Sequence, residues 1–215
     1  MAELRPWLEI ARPHADIADG SFDESRFAAD LGLVDQGVGE RDYLDAVTFC
    51  EKTYLTESLQ AVLGELAARL DGDSAAAGVY RLQTEFGGGK THTLLAAYHL
   101  FGDPARVAGT PALGRASFPK ARLAVLDGSA LIPGGTGSGP RTLVGELAQR
   151  LGGDAAFATV AAQDAGLLGS STVQLAELLA AHSHCLILLD ELLEYLNKAL
   201  EVQAHDGNLA GTTLT

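Results

Sequence analysis

Apolar residues recur along most of the chain in one of two ways, at helical spacing or in short unbroken runs, and the two alternate. Leu59, Val62, Leu63, Leu66 and Leu70 share one helical face, with Thr56 placed to cap that helix and Gly72 to stop it. The run from Val79 to Thr84 then reads as a short buried strand, followed by the cluster Gly87-Gly88-Gly89. A second helix starts near Thr91, buries Leu94, Leu95 and Phe101, and ends at Gly102-Asp103-Pro104. Residues Arg122 to Asp127 form another buried strand, and Ile132 to Pro140 (IPGGTGSGP) a flexible loop. Leu143, Val144, Leu147 and Leu151 mark a helix that Gly152 ends. Ser171 and Gln174 have capping-box spacing before a helix carrying Val173, Leu175, Leu178 and Leu179. Cys185 to Leu189 (CLILL) is the strongest strand signal, Asp190-Glu191 terminates it, and Leu192, Leu193, Leu196 and Leu200 set a last helix. Strands alternating with helices predict an α/β fold with a parallel sheet covered on both faces.

Composition narrows the function classes. Acidic residues number 28 and basic residues 15, a net charge of −13, which argues against a chain that coats DNA or anionic membrane unaided. Through Lys52 there are 12 acidic and 5 basic residues, more than half of the excess, in a stretch punctuated by Pro6, Pro13, Gly20, Gly32, Gly37 and Gly39. Two cysteines, Cys50 and Cys185, make no disulfide framework, so a reducing cytoplasm is the expected compartment. No apolar run approaches the ~20 residues of a membrane span, and no membrane association is expected.

The glycine cluster carries candidate chemistry. Thr84-Glu85-Phe86-Gly87-Gly88-Gly89-Lys90-Thr91 lies between an expected strand and an expected helix. Glycines let backbone N–H groups approach phosphate oxygens, and the helix start supplies the positive end of its dipole. In that setting Lys90 bridges the β- and γ-phosphates, the Thr91 hydroxyl ligates Mg²⁺, and Glu85 to His92 form the cradle. The P-loop pattern places a Gly five positions before the Gly that precedes the Lys. Here that position is Thr84, so the first element of the pattern is missing. The bland alternative is an ordinary glycine-rich turn.

The second motif is Leu186-Ile187-Leu188-Leu189-Asp190-Glu191. Ligands in open α/β sheets sit at the carboxyl ends of strands. Asp190 there suits holding Mg²⁺, and Glu191 suits orienting or deprotonating an attacking water, which makes it the catalytic candidate. Alone, two acids ending a strand are often just solvated; together with the glycine cluster they point to ATP or GTP binding. The chain accordingly divides into a mostly helical acidic region, residues 1–72, and a nucleotide-binding core, residues 73–215. P-loop proteins with an adjacent catalytic Glu usually place one more strand beside the Asp-Glu strand, later in the chain. Only 24 residues follow Glu191, and their second half is small and polar. The core is therefore expected to be incomplete at its C-terminus, as a fragment of a longer protein.

These residues resemble a family of large bacterial P-loop ATPases with an AAA-like core, catalogued as domain of unknown function 499. The likeness includes Pro13-His14-Ala15-Asp16-Ile17, Phe27-Ala28-Ala29-Asp30-Leu31, Thr53-Tyr54-Leu55-Thr56 and Leu82 through His92, where the family also lacks the leading Gly. It continues in Arg141-Thr142-Leu143 before Gly145-Glu146-Leu147-Ala148, and in Cys185 to Glu191. The resemblance implies a three-layer α/β/α P-loop fold, ATP rather than GTP, and a setting in phage-defence or DNA-methyltransferase-linked systems. DNA or a methyltransferase is then a partner of the longer protein, and a homo-oligomer is among the expected assemblies.

The expected function is ATP binding and hydrolysis by an AAA-like ATPase module. The alternative is a fragment that binds nucleotide, or only a partner, without turnover. A small-molecule kinase is a third reading that lacks an evident lid. His92 and His99, and His182 and His184, have no Cys or acid at ligand spacing to complete a zinc site. Arg106, Arg115, Lys120 and Arg122 lack interleaved aromatics and read as a solvated loop.

Overall fold

The backbone of an isolated strand carries polar groups that only a neighbour can satisfy, and two strands here satisfy each other. In a computed structural model of the chain, the described residues are 15–20, 29–83, 88–109, 117–135, 139–167 and 171–206. The expected site residues Glu85, Phe86 and Gly87 lie outside them, as does Arg115. In chain order the elements are α1 (Ala15–Ala18), α2 (Leu31–Asp35), α3 (Arg41–Leu44), α4 (Ala46–Lys52), α5 (Glu57–Leu70) and α6 (Lys90–Gly102). Then follow β1 (Arg122–Asp127), α7 (Leu143–Ala158), α8 (Ala161–Ala165), α9 (Thr172–Ala181), β2 (Cys185–Asp190) and α10 (Leu192–Asp206). Among the described residues no helix is long and apolar enough to cross a membrane.

β1 and β2 pair in parallel, from Arg122 opposite Cys185 to Asp127 opposite Asp190. Successive strand residues point to opposite faces. Leu123, Val125, Leu186 and Leu188 therefore join one apolar cluster, and Ala124, Leu126, Cys185 and Ile187 the other. The first cluster holds Phe49, Cys50, Leu59, Leu63 and Ala67 of α4 and α5 with Leu95, Leu100 and Phe101 of α6. The second holds Leu147, Ala148 and Leu151 of α7, Leu178 of α9, and Tyr195 and Ala199 of α10. One core thus runs across residue 72, binding the acidic N-terminal helices to the sheet.

Local signals set several helix ends. The Thr56 hydroxyl accepts from Leu59 N at 3.2 Å, and Ser171 and Gln174 close both arms of a capping box, each such cap contributing about 1 kcal/mol. α7 breaks where Gly152 ends its first part, with Gly153 at φ 63°, and then resumes a helical turn.

The expected strand from Val79 to Thr84 is corrected by the structure. Residues 79–83 join no ladder, and Val79 is 88% exposed. Tyr80 and Leu82 are half-buried while their neighbours are exposed, so the segment is strand-like in alternation only. It leans on α5, where the Tyr80 hydroxyl donates to Glu65 Oε2 at 3.2 Å, and β propensity without a partner strand gives no sheet. Thr84 lies outside the described residues.

The two sheet edges differ. α2 crosses the flank of β1: Leu31 and Val34 enter the first cluster, and Gly32 lies so close to the Asp127 carboxylate that a Cβ would meet it at 2.7 Å. Asp35 ties both helical layers together, bonding the Tyr98 hydroxyl of α6 and Arg150 of α7, the latter at 2.8 Å. β2 has β1 as its one ladder partner among the described residues, and its Leu189 is 39% exposed.

α6 is held to the N-terminal helices by His99. Its Nε2–H donates to the Tyr43 carbonyl at 2.7 Å, and its ring lies 5.0 Å from that of Phe49. Burial lowers the His99 pKa; the Tyr43 bond and Asp45 oppose that, and Arg106 adds to it. The folded chain thus resists protonation that the unfolded chain accepts near pH 6.5. The stability from neutral His99 is complete above that pH and is lost as pH falls through the lower folded value. Urea midpoints are expected to fall between pH 7.5 and 5.5, and less steeply in His99→Gln, whose amide keeps the donor. Equal slopes in both proteins would reject this role.

Candidate functional site

The N-terminus of α6 is shaped by Gly89, which caps the helix at φ 77° and ψ 20°, a left-handed conformation with no Cβ penalty for glycine. Gly89 O accepts from Thr93 N and Thr93 Oγ1, both at 2.9 Å. The N–H groups of Lys90, Thr91 and His92 precede the first intrahelical bond, at the positive end of the helix dipole.

The opposite end of α6 fixes where these donors lie. Ala121 N donates to Phe101 O at 2.8 Å, and Gly102 packs on the Leu123 side chain, so α6 ends where β1 begins. The helix packs over both strands through Leu95, Leu100, Val125 and Leu188. Thirteen helical residues and six strand residues each span about 20 Å. A helix of that length running back along the sheet would reach the level of the carboxyl ends of β1 and β2 with its first turn, which carries Lys90 and Thr91.

At those ends two acids stand side by side in register, Asp127 and Asp190. They are not equivalent. Asp127 Oδ1 accepts from Ser129 N at 2.8 Å and Oδ2 from Ser129 Oγ at 2.9 Å, so both oxygens are used in its own turn. Asp190 accepts only through Oδ1, from Glu191 N at 3.1 Å, which leaves Oδ2 open among the described residues. Glu191 is exposed and sits at φ 45°, a left-handed conformation costing a non-glycine residue about 1–3 kcal/mol. Its carbonyl turns onto Gly128, where any Cβ would fall well inside contact distance, and accepts from Glu194 N at 3.0 Å. Lys198 clamps the same turn by donating to the carbonyls of Gly128 and Ser129. Among the described residues no three His, Cys, Asp or Glu side chains gather as a metal cage.

His92 is held by its ring. Thr53 Oγ1 donates to Phe49 O at 2.7 Å, so its lone pair is what His92 Nε2 meets at 3.1 Å, and His92 is the donor. The ring also lies 4.8 Å from Phe49, and burial lowers its pKa. The side chain of His92 is thus committed to α4, and its backbone N–H is what it offers at the helix start.

The DUF499 N-terminal domain family matches residues 7–114, half of the chain. The chain belongs to the DUF499 family. The match takes in Gly88 to His92 and the helices through α6, and stops before β1. No curated protein and no solved structure matches the chain.

Three features of this DUF499 chain escape motif reading. Asp127 pairs with Asp190 only through strand register, although Asp-Gly-Ser after a strand is a readable turn signal. Gly128 matters because Glu191 turns onto it. Tyr195, just past Glu191 on α10, is 1% exposed, and among the described residues its hydroxyl makes no hydrogen bond of normal geometry. Burial pushes its pKa up to about 12 against the pull of the nearby Leu143 N–H, with Asp164 and Glu146 adding to the rise. Both thiols are raised by burial, Cys50 to about 11, which makes them poor nucleophiles. Arg106 pairs with Asp45, and Arg122 donates to Leu151 O at 2.7 Å, so both serve packing.

Gly128→Ala is expected to destabilise the chain by about 1–3 kcal/mol in urea unfolding, since backbone must move. Gly64→Ala, on an open face of α5, is expected to stabilise it by about 0.5–1 kcal/mol. Similar effects at both positions would reject the Gly128–Glu191 contact. Tyr195→Phe keeps the ring and removes an unsatisfied hydroxyl, so a gain of about 1 kcal/mol is expected. A clear loss of stability would mean that the hydroxyl has a partner.

Proposed function

We propose that this DUF499 chain is an ATP-binding and hydrolysing P-loop module of AAA-like type, acting with Mg²⁺ in the cytoplasm. What supports the reading is the presence of two chemistries on one sheet: a glycine-led helix start with Lys90 and Thr91 on α6, which packs on β1 and β2, and strand-end acids with one open oxygen on Asp190. A triphosphate needs the first and its metal the second. The donor set suits Mg²⁺, which binds through one or two protein oxygens plus phosphate and water rather than through a full protein cage.

In this reading the N–H groups of Gly88 to His92 and the Lys90 ammonium hold the phosphate oxygens, with residues 85–87 completing the loop. Thr91 Oγ1 and Asp190 Oδ2 would hold Mg²⁺, which would supply positive charge against the phosphates. Glu191 orients the attacking water and takes its proton. Its left-handed backbone is held over Gly128, and the residue is exposed. A role in a phage-defence or DNA-modification system, with DNA, a methyltransferase or further copies of the chain as partners, belongs to this proposal through the family resemblance.

One observation favours the alternative, a chain that binds nucleotide without turnover. Residues 79–83 lie outside the sheet and β2 has one ladder partner among the described residues, so the strand support under a phosphate loop is thin here. Two variants separate the readings. Lys90→Ala is expected to weaken ATP binding at least about tenfold, as loss of a charge-assisted contact does. Glu191→Gln is expected to bind ATP as the parent does and to stop phosphate release. Unchanged ATP affinity in Lys90→Ala would sink the site. Phosphate release no faster in the parent than in Glu191→Gln would select the non-hydrolysing alternative.

A further inference from the structure

Glu191, Tyr195 and Lys198 follow one another at helical spacing, so the start of α10 presents them on one face. That face closes on Gly128, in the turn after β1. A Cβ on Gly128 would meet the Glu191 carbonyl first and then the Tyr195 Cβ at 3.1 Å. The Lys198 ammonium donates to Gly128 O at 3.1 Å and to Ser129 O, and it lies 3.2 Å from Glu194 Oε1. Three acceptors thus take up the three N–H groups of one lysine. Gly128 N donates in turn to Asp190 O at 2.9 Å. The turn after β1 is therefore gripped from two sides, by the end of β2 and by α10. Lys198 is the only Lys or Arg on α10.

We propose that Lys198 is a positioning residue that sets Glu191 for the activation of water. The inference rests on the hydrolytic reading above and adds to it what holds the acid in place. Glu191 has a left-handed backbone, which a non-glycine residue keeps only where its surroundings impose it. The bonds that its carbonyl accepts from Glu194 N and Tyr195 N begin α10 but do not tie that helix to the turn after β1. Lys198 makes that tie, and both of its bonds to the turn are charge-assisted. By drawing Gly128 and Ser129 against α10, it keeps the Glu191 carbonyl seated on Gly128. The phosphate-binding candidates are on α6, which packs in the first apolar cluster, whereas Tyr195 and Ala199 of α10 pack in the second, on the other face of the sheet. Loss of the ammonium therefore displaces the acid and spares the helix that gives affinity. A shift of about 1 Å in a reacting group costs on the order of a hundredfold in rate.

The test measures steady-state phosphate release and equilibrium ATP binding by the purified chain with Mg²⁺, beside urea unfolding. Lys198→Met keeps the aliphatic stem and removes the donors. It is expected to lower kcat at least about tenfold and to bind ATP as the parent does. Parent-like kcat in Lys198→Met, with Glu191→Gln stopping phosphate release, overturns the positioning role and leaves the hydrolytic reading standing. Equal loss of kcat and ATP affinity in Lys198→Met also overturns it, by making Lys198 a general support of the fold. If Lys198→Met shows no cooperative unfolding, Lys198→Gln carries the same comparison. Its neutral donor is expected to give an intermediate kcat at parent affinity, and a parent-like kcat there overturns the role. Phosphate release no faster in the parent than in Glu191→Gln removes the hydrolytic reading and the positioning role with it.

Discussion

The in-register pairing of β1 with β2 is the constraint on which the rest of the described fold depends. It satisfies the backbone groups that the two strands turn towards each other, and it forces their side chains alternately into two cores. Each core then has to be closed by helices, α4 to α6 on one face and α7, α9 and α10 on the other. The same register sets Asp127 beside Asp190. The tie between Phe101 O and Ala121 N fixes the end of α6 against the start of β1. Geometry at the candidate site is in this sense inherited from sheet pairing, with little contributed by the site residues themselves.

Much of this was legible in the chain. Unbroken apolar runs marked both strands because a strand buried on two faces has no polar positions to spare. Thr56, Gly72, Ser171 with Gln174, and Gly152 announced helix ends through hydrogen bonding and backbone freedom that are local by nature. The failure at residues 79–83 has the opposite cause: Val, Tyr and Leu favour a pleated surface, but a ladder requires a neighbour, and the segment found α5 instead. Residues of the candidate site were partly readable for the same reason. The types at Lys90, Thr91, Asp190 and Glu191 are local facts. That Asp127 spends both oxygens on Ser129 while Asp190 keeps one is a difference in turn geometry, and that His92 is held by Thr53 is a contact across 39 positions. No periodicity encodes either.

The acidic N-terminal helices take part in the core as fully as the strands do. Phe49 lies between the rings of His92 and His99, at 4.8 and 5.0 Å, so α4 is keyed into both ends of one face of α6. Charge and packing therefore follow different divisions of the chain. The acidic excess collects before Lys52, while the apolar side of the same helices is continuous with the sheet. A reading from composition sees the first division, and only tertiary contacts reveal the second.

α2 makes the sheet a one-sided structure. With Asp35 riveted to α6 and α7 across the flank of β1, that margin is covered, and among the described residues the open margin of the sheet is β2. β2 is also the strand that ends in Asp190. A strand that came to lie on that margin would border Asp190 directly, with Asp127 one strand further in. A strand added at β2 would therefore change the surroundings of Asp190 as it widened the sheet.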